Sequence, residues 1–378
     1  MKGWDRSQAR KRNKESFPTA AVTTVRKTPS FPCTAVTSNC EDPEMTEAKT
    51  SLSNRAREET KKVVTRRNFT KLSAAAIGSI PLMGFSSPLF NVVTKPKDAL
   101  NVSLFSKHLQ FLDYNDMAAA ASEIGFDGLD LTVRPKGHVL PEKVADDLPK
   151  AVKAMKKYGI NPGMMTTNIW DLSDSTQKTV LETAGSLGFS HYRTGWLKYP
   201  EDRTINESQA LYGQQASTLE VLNKELGLIG CYQNHAGNHV GAPIWDLPPI
   251  LKATNNEHIG AQYDIRHAVV EGGNSWELGL RQIKPFIKSI VIKDFKWGQV
   301  EGKWKPVNTP LGDGMVDFTR YFSLLKKYEI NVPVSLHLEY DLGGAEHGET
   351  KISMDKKVVF NQMKKDLNFL RDVWRNAK

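Results

Sequence analysis

The chain has 378 residues, of which 39% are hydrophobic and 25% are charged, a composition typical of a globular protein with a large core. Its net charge of +9 comes entirely from the first 100 residues, which carry 18 Lys and Arg against 9 Asp and Glu, whereas the remaining residues carry 33 of each. A neutral folded part lacks the basic surface that phosphate backbones require, which argues against nucleic acid as a partner.

Residues 1–60 are rich in Ser, Thr, Pro, Lys and Arg and show no sustained apolar period, so we expect a disordered basic leader there. Cys33 and Cys40 lie in this leader, and the third cysteine, Cys231, lies far beyond it. The part of the chain after the leader therefore has too few cysteines for an intramolecular disulfide. We expect Cys231 to be packed inside a buried strand.

Residues 61–94 contain a basic segment followed by an apolar one. Arg66 and Arg67 precede residues 72–85, an apolar stretch of 14 residues that is shorter than the roughly 20 needed to span a bilayer. The combination resembles a twin-arginine export signal, and Pro81 argues against the alternative of a buried helix. We therefore expect recognition by export machinery and a periplasmic or exported protein. Whether the signal is cleaved stays open because no clear Ala-x-Ala site follows it, and an uncleaved signal would tether the protein to the membrane. Translation starting at Met45 would place the arginine pair closer to the N-terminus, as is more natural for such a signal.

From residue 95 onward, short apolar or β-branched runs alternate eight times with helical patterns. This alternation is typical of βα units around a parallel sheet, and eight strands close a barrel. We therefore predict an α/β fold, a single (β/α)8 TIM barrel over residues 95–378. The predicted strands are residues 101–106, 128–133, 163–168, 191–196, 229–235, 260–265, 289–294 and 334–340.

Apolar residues at helical spacing indicate which helix faces pack on the barrel. One such stripe comprises Val144, Leu148, Val152 and Met155, preceded by Pro141 where a first-turn proline is tolerated. The last helix repeats the pattern. Its apolar stripe consists of Val359, Met363, Leu367, Leu370 and Trp374, and we expect Lys364, Lys365 and Asp366 to face solvent.

Active sites of TIM barrels lie at the C-terminal ends of the strands, and side chains alternate between inward and outward along each strand. Polar residues at inward positions are costly unless they are hydrogen-bonded or used. These rules select His108, Asp130, Arg134, Asn168, Trp170, Arg193, Gln233, His235, Asp264, Arg266, His267, Lys293, His337 and Glu339. Of these, we expect Gln233, His235, Asp264, His267, Lys293, His337 and Glu339 to line one pocket.

Six short segments carry a resemblance to a known family. In this order and at one-strand spacing they resemble the xylose-isomerase-like TIM-barrel family of sugar phosphate isomerases and epimerases. The resemblance implies a small-molecule sugar substrate, a divalent metal such as Mn, Mg, Zn or Co, and no organic cofactor. The segments are residues 125–131 (GFDGLDL), 233–237 (QNHAG), 264–268 (DIRHA), 292–294 (IKD), 310–314 (PLGDG) and 335–339 (SLHLE).

Members of that family hold the metal with a Glu on strand 5, an Asp on strand 6, a His on strand 7 and a Glu on strand 8. This sequence keeps only the strand 6 residue, Asp264, and has Gln233, Val291 and His337 at the other three positions. Amide, carboxylate and imidazole groups all ligate divalent metals. The resemblance therefore implies Gln233, Asp264 and His337 as metal ligands, with His235 able to add a nitrogen.

The remaining polar residues receive catalytic or binding roles. Glu339 is our first choice of general base and His337 the second, while Lys293 could hold a substrate oxyanion, act as a base, or pair with Asp264 or Glu339. We expect substrate contacts from His108, Asp130, Asn168, Arg193, His235 and His267. The structural alternatives are a clamp role for Arg193, a hydrogen-bonded strand-end role for His235 and an Asp264 ion pair with Arg266.

The expected function is that of an exported sugar or sugar-derivative isomerase or epimerase with an enediolate-type proton transfer. Trp297 and Trp304, on a predicted hairpin, are suited to stacking on a sugar face. Two alternatives remain. One is a carbohydrate-binding barrel that has lost the metal and catalysis, and the other is a metal-dependent hydrolase or lyase of the same fold, including the AP endonuclease branch.

Overall fold

The computed structural model describes residues 98–378. The leader and the twin-arginine segment, both predicted within residues 1–94, lie outside the described residues. The described chain forms one closed barrel of eight parallel strands, which confirms the predicted TIM barrel. The strands in chain order are β1 (Val102–Phe105), β2 (Gly128–Thr132), β3 (Asn161–Thr166), β4 (His191–Arg193), β5 (Ile229–Gln233), β6 (Ile259–Asp264), β7 (Ile287–Ile292), β8 (Asp294–Val300), β9 (Lys303–Thr309) and β10 (Val334–Leu336).

Strands β8 and β9 form the predicted hairpin outside the barrel, and β10 closes the barrel between β7 and β1. Helices lie between the barrel strands, and several begin where a side chain caps the first turn. In one such cap, Thr204 accepts a hydrogen bond from the Glu207 backbone while the Glu207 carboxylate accepts one from Thr204. The helices are α1 (Tyr114–Ile124), α2 (Val144–Lys157), α3 (Ser175–Leu187), α4 (Ile205–Leu226), α5 (Leu247–Leu251), α6 (Ile265–Gly272), α7 (Trp276–Ile283), α8 (Phe318–Lys327) and α9 (Lys356–Asn376).

The apolar core fills the barrel and the layer between the barrel and the helices. Both predicted stripes, on α2 and on α9, are buried, and Cys231 is a buried free cysteine in β5. The prediction that Asp366 faces solvent is wrong. Asp366 is buried and accepts a hydrogen bond from the Tyr340 hydroxyl at 2.9 Å. Burial raises the pKa of Asp366 to about 7. Among residues 98–378, no helix combines the length and the apolar character that crossing a membrane requires.

All eight predicted barrel strands exist, but each ends one to four residues earlier than predicted at its C-terminal end. Strand β7 ends at Ile292 and β10 at Leu336, so Lys293, His337 and Glu339 lie in the segments that follow the strands. The segment after β10 is still held at the barrel rim by a backbone hydrogen bond to β7. The His337 backbone N–H donates to the carbonyl of Ile292 at 3.0 Å.

Candidate active site

A cavity of about 70 Å³ opens where the barrel strands end. Five of the seven residues expected to converge line it, and the other two, Asp264 and His267, are buried in contact with the lining. A larger groove, beside Gly213 on α4, lies away from the strand ends and is lined by no strand-end residue. The lining of the small cavity combines four basic groups, one carboxylate, two imidazoles, an amide and two aromatic rings: Phe105, Lys107, Arg134, Arg193, Trp196, Gln233, His235, Lys293, His337 and Glu339.

Lys293 is the centre of the ion-pair network in this cavity. Its Nζ lies 3.2 Å from Oδ2 of Asp264 and 3.1 Å from Oε2 of Glu339, and only 3% of its side chain is exposed. The ammonium therefore joins the end of β6 to the segment after β10. Arg266, which was the alternative partner for Asp264, instead donates to Oδ1 of Asn308 at 2.8 Å.

Asp264 is the last residue of β6 and also caps α6, since its Oδ1 accepts from the His267 backbone N–H at 3.2 Å. Its Oδ2 accepts from the Gln233 side-chain amide at 2.8 Å as well as contacting Lys293. Burial raises the pKa of Asp264, and the Lys293 charge only partly offsets that effect. Both carboxylate oxygens are thus engaged by protein donors.

Glu339 is the carboxylate that reaches the cavity, with 23% of its side chain exposed. Burial alone would raise its pKa, but the neighbouring Lys293, with help from Lys107, lowers the pKa of Glu339 well below its usual value. The Lys107 Nζ lies 3.5 Å from Oε1 of Glu339. Glu339 is consequently an ionised acceptor between two ammonium groups at neutral pH.

His337 is neutral and oriented by a buried chain of hydrogen bonds. The Ser335 hydroxyl donates to Oδ2 of Asp130 at 2.7 Å, so it is free to accept from Nε2 of His337 at 3.1 Å. This leaves Nδ1 of His337 unprotonated, without a hydrogen-bond partner, and 3.7 Å from Oε1 of Glu339. Burial lowers the pKa of His337 to about 3, and its ring stacks on Phe105 at 4.2 Å.

Four residues predicted to contact substrate do not line the cavity: His267, which is buried beside the lining, and His108, Asp130 and Asn168. His108 is fully buried, with Nδ1 donating to the carbonyl of Ala345 and Nε2 accepting from the Leu338 backbone N–H. Asp130 is buried beneath His337 and accepts from the Thr166 and Ser335 hydroxyls, which gives it an orienting rather than a contacting position. Asn168 lies two residues beyond the end of β3, and its side chain is exposed outside the cavity lining.

His235 and Arg193 line the cavity, and His267 lies next to it. The His235 ring packs between the rings of Trp196 and His267 in tilted contacts, with centroids 4.6 Å and 4.0 Å away. Burial lowers the pKa of His235 to about 4 and that of His267 well below its usual value, so both imidazoles are neutral at physiological pH. The Arg193 guanidinium lies 4.5 Å from the centre of the Trp196 ring.

The comparisons with known proteins identify the family. A family model described as a xylose isomerase-like TIM barrel matches residues 118–359. The chain belongs to this family. The comparison with curated proteins found no match.

Solved structures of other xylose isomerase-like barrels share the fold at low identity. The D-allulose 3-epimerase from Methylomonas sp. is 14% identical, with a TM-score of 0.54 over 73% of this chain and 98% of that one. A barrel protein from Mycobacterium smegmatis in complex with magnesium is 12% identical, with a TM-score of 0.52 over 73% and 98%. A probable 3-DHS dehydratase from Bacillus anthracis is 15% identical, with a TM-score of 0.51 over 74% and 100%. Such identities establish a common fold and leave the chemistry to be argued from the site.

The expected metal ligands do not fit a divalent cation in this xylose isomerase-like barrel. Within residues 98–378, no three His, Cys, Asp or Glu side chains are grouped as a metal site. Gln233 directs its amide nitrogen at Asp264, its oxygen accepts from Arg193 at 3.3 Å, and His337 is bonded to Ser335. The ammonium of Lys293 contacts both Asp264 and Glu339, so a second positive charge between these carboxylates would face direct repulsion.

Three residues of the cavity lining were not selected from the sequence: Phe105, the last residue of β1, and two residues that follow strands. Lys107 lies in the short 3-10 turn after β1, and Trp196 lies three residues past the end of β4. Strand alternation does not extend into such turns, so parity gives no signal for either residue. Trp196 could have been found from its position three residues after Arg193, an inward arginine, because guanidinium groups often stack on aromatic faces.

Proposed function

We propose that this protein is an enzyme, a carbohydrate isomerase or epimerase that moves a proton on the carbon next to a substrate carbonyl. The observation that carries the proposal is the position of Glu339, an ionised carboxylate at the barrel mouth between the ammonium groups of Lys293 and Lys107. A base and positive charges at one point are what enolisation requires, since a proton leaves carbon while negative charge develops on oxygen.

The chain's own groups account for each part of that step. Lys293 and Lys107 hold the carbonyl oxygen and stabilise the developing oxyanion, while Glu339 accepts the proton from carbon. The protonated Glu339 then returns it to the neighbouring carbon in an isomerisation or, after the enediolate has turned over in the site, to the other face of the same carbon in an epimerisation. In the free protein both lysines depress the pKa of Glu339. When their hydrogen bonds turn to the substrate oxygen, the pKa of Glu339 rises and its strength as a base increases. Nδ1 of His337 is positioned as the second acceptor.

Proton transfer can be tested without knowing the sugar. The protein is incubated with a panel of aldoses, ketoses and their acidic or phosphorylated derivatives in D2O, and NMR follows deuterium entering the position next to the carbonyl. We expect exchange with at least one member of the panel. Saturable binding without any exchange would instead support the carbohydrate-binding barrel, an alternative favoured by the neutralisation of Asp264 and Glu339 by Lys293.

Chelation is expected to leave this activity unchanged, because the Lys293 ammonium takes the place between Asp264 and Glu339 and supplies the positive charge there. The measurement is the deuterium exchange rate after dialysis against EDTA, with elemental analysis verifying that Mn, Mg, Zn and Co are absent. Each metal is then added back separately. An inactive dialysed protein whose activity returns with one of these metals would contradict the role given to Lys293.

We also propose that residues 61–94 direct export to the periplasm. Replacing Arg66 and Arg67 together by lysine is expected to retain the protein in the cytoplasm, because a twin-arginine signal requires arginine and not merely positive charge. The matched control replaces Lys61 and Lys62 by arginine, which also preserves charge. Cell fractionation followed by immunoblotting gives the distribution, and unchanged export of the first variant would exclude a twin-arginine signal.

A further inference from the structure

The charges around the cavity do not cancel. Four basic side chains line it, namely Lys107, Arg134, Arg193 and Lys293, against the single lining carboxylate of Glu339. Asp264 beneath the lining adds a second negative charge, and both of these carboxylates are paired with lysines. Among residues 98–378, neither Arg134 nor Arg193 has an ion pair within 4.0 Å.

Arg193 is a buried cation whose side-chain contacts are neutral, while the charges of Asp130, Glu339 and Asp264 act on it from beyond ion-pair distance. Its side chain is 3% exposed, NH1 donates to Oε1 of Gln233 at 3.3 Å, and Nε has no hydrogen-bond partner. The other contact is the ring of Trp196. Burial, together with the charge of Arg134, lowers the pKa of Arg193 to about 9, so it remains charged at neutral pH. A buried charge without an anion is costly, and it marks a place where an anion would be stabilised.

Arg134 supplies the second free guanidinium. It follows β2, is half-buried, and lies over the Phe105 ring at 5.7 Å from the centroid. Its side chain makes no hydrogen bond to another residue of the part described, and its charge is felt by Arg193. The remaining nearby carboxylate, Asp130, is buried below the cavity and takes its hydrogen bonds from Thr166 and Ser335. The charge of Asp130 acts on both guanidinium groups but forms no ion pair with either within 4.0 Å, and both arginines line the cavity.

We propose that Arg134 and Arg193 bind an oxyanion of the substrate, so that the substrate is a sugar carrying a carboxylate or a phosphate group. This inference rests on the proposed function and adds the class of substrate to it. Planar guanidinium groups bind such oxyanions through paired, charge-assisted hydrogen bonds. The same anion provides the counter-charge that Arg193 lacks, while Lys293, Lys107 and Glu339 stay available for the carbonyl end of the substrate.

Isothermal titration calorimetry of the full chain tests the site independently of turnover. The probes are inorganic phosphate, D-glucuronate, D-fructose 6-phosphate and the neutral sugar D-fructose. We expect the parent protein to bind at least one of the three anions at least 10-fold more tightly than D-fructose. A preference for D-glucuronate indicates a carboxylate and a preference for the phosphates indicates a phosphoryl group, and both outcomes support the site.

Variants assign that binding to the two arginines. Arg134→Met, at the half-buried edge of the cavity, is expected to weaken anion binding at least 10-fold and leave binding of D-fructose unchanged, as is Arg193→Gln if it folds. Arg281→Met, on the exposed face of α7, is the matched control and should bind as the parent does. Anion binding that Arg134→Met leaves intact, or equal affinity of the parent for neutral and anionic probes, overturns the proposal.

The deuterium exchange experiment separates this inference from the function on which it rests. In one outcome, Arg134→Met loses anion binding, but the parent exchanges deuterium into no acidic or phosphorylated sugar. This result would support the oxyanion site and contradict the isomerase function. In the other outcome, the parent exchanges deuterium into neutral sugars alone and Arg134→Met does so at the same rate, which would support the isomerase function and contradict the oxyanion site.

Discussion

Replacing Glu339 by Gln is expected to lower the rate of proton transfer by about 10²- to 10⁴-fold, the usual range for the loss of a general base. The amide keeps the size of the side chain but has no negative charge and no basicity. Binding of the substrate should change little, because Arg134 and Arg193 do not contact Glu339 within ion-pair distance. The expected signature is therefore a fall in kcat with a nearly constant KM, measured by deuterium exchange or by product formation.

A more deeply buried glutamate outside the cavity provides the control for this variant. Glu220 on α4 accepts hydrogen bonds from the backbone N–H groups of Asn255, Glu257 and His258, away from the cavity. Glu220→Gln should lower the free energy of unfolding without lowering kcat. If Glu339→Gln retains the parent rate, His337 becomes the leading base, and His337→Phe would then be the variant to compare.

The barrel could be predicted from the sequence because each βα unit has its own local pattern of apolar residues. Eight apolar runs alternate with helical patterns, and the α9 stripe from Val359 to Trp374 is buried as its spacing predicts. Asp366 escaped this reasoning because its burial depends on Tyr340, which lies in the segment after β10. Asp366 lies at the edge of the stripe, three residues after Met363, and a loop that folds over this edge leaves no periodic trace in the sequence.

The site was predictable as a set of strand ends, but its pairings were not. Lys293 and Glu339 are 46 residues apart, and only the closed barrel brings them to 3.1 Å. Likewise, position near a strand end selects both His108 and His337 as site residues. In the structure, however, both ring nitrogens of His108 are hydrogen-bonded to backbone groups. Hydrogen-bond satisfaction, which separates a structural histidine from an available one, depends on contacts between distant segments.

The pairing of Lys293 leads to the second large effect. In Lys293→Met the carboxylates of Asp264 and Glu339 lose their shared cation, so we expect the free energy of unfolding to fall by about 3 to 5 kcal/mol at neutral pH. Activity should be lost as well, because the Lys293 ammonium is then missing from the group that stabilises the developing oxyanion. Lys296→Met, on the exposed face of β8, is the control and should preserve both stability and rate.

The pH dependence of Lys293→Met shows whether unpaired carboxylates cause its instability. Burial already raises the pKa of Asp264, and without Lys293 that pKa rises further in the folded state and stays unchanged in the unfolded state. A raised folded pKa means that the folded variant binds more protons, so its deficit relative to the parent is largest at neutral pH and shrinks as the pH falls towards 4. Denaturant unfolding at several pH values measures this deficit, and a deficit independent of pH would contradict the pairing.

A double variant separates the structural role of Lys293 from its chemical role. Combining Lys293→Met with Asp264→Asn removes one negative charge along with the positive one, so part of the lost stability should return. Glu339 remains in place as the base, but the oxyanion still lacks its ammonium, so proton transfer should stay slow. Recovery of the parent rate in the double variant would show that Lys293 serves only to balance Asp264, and the electrostatic role given to it in the reaction would be wrong.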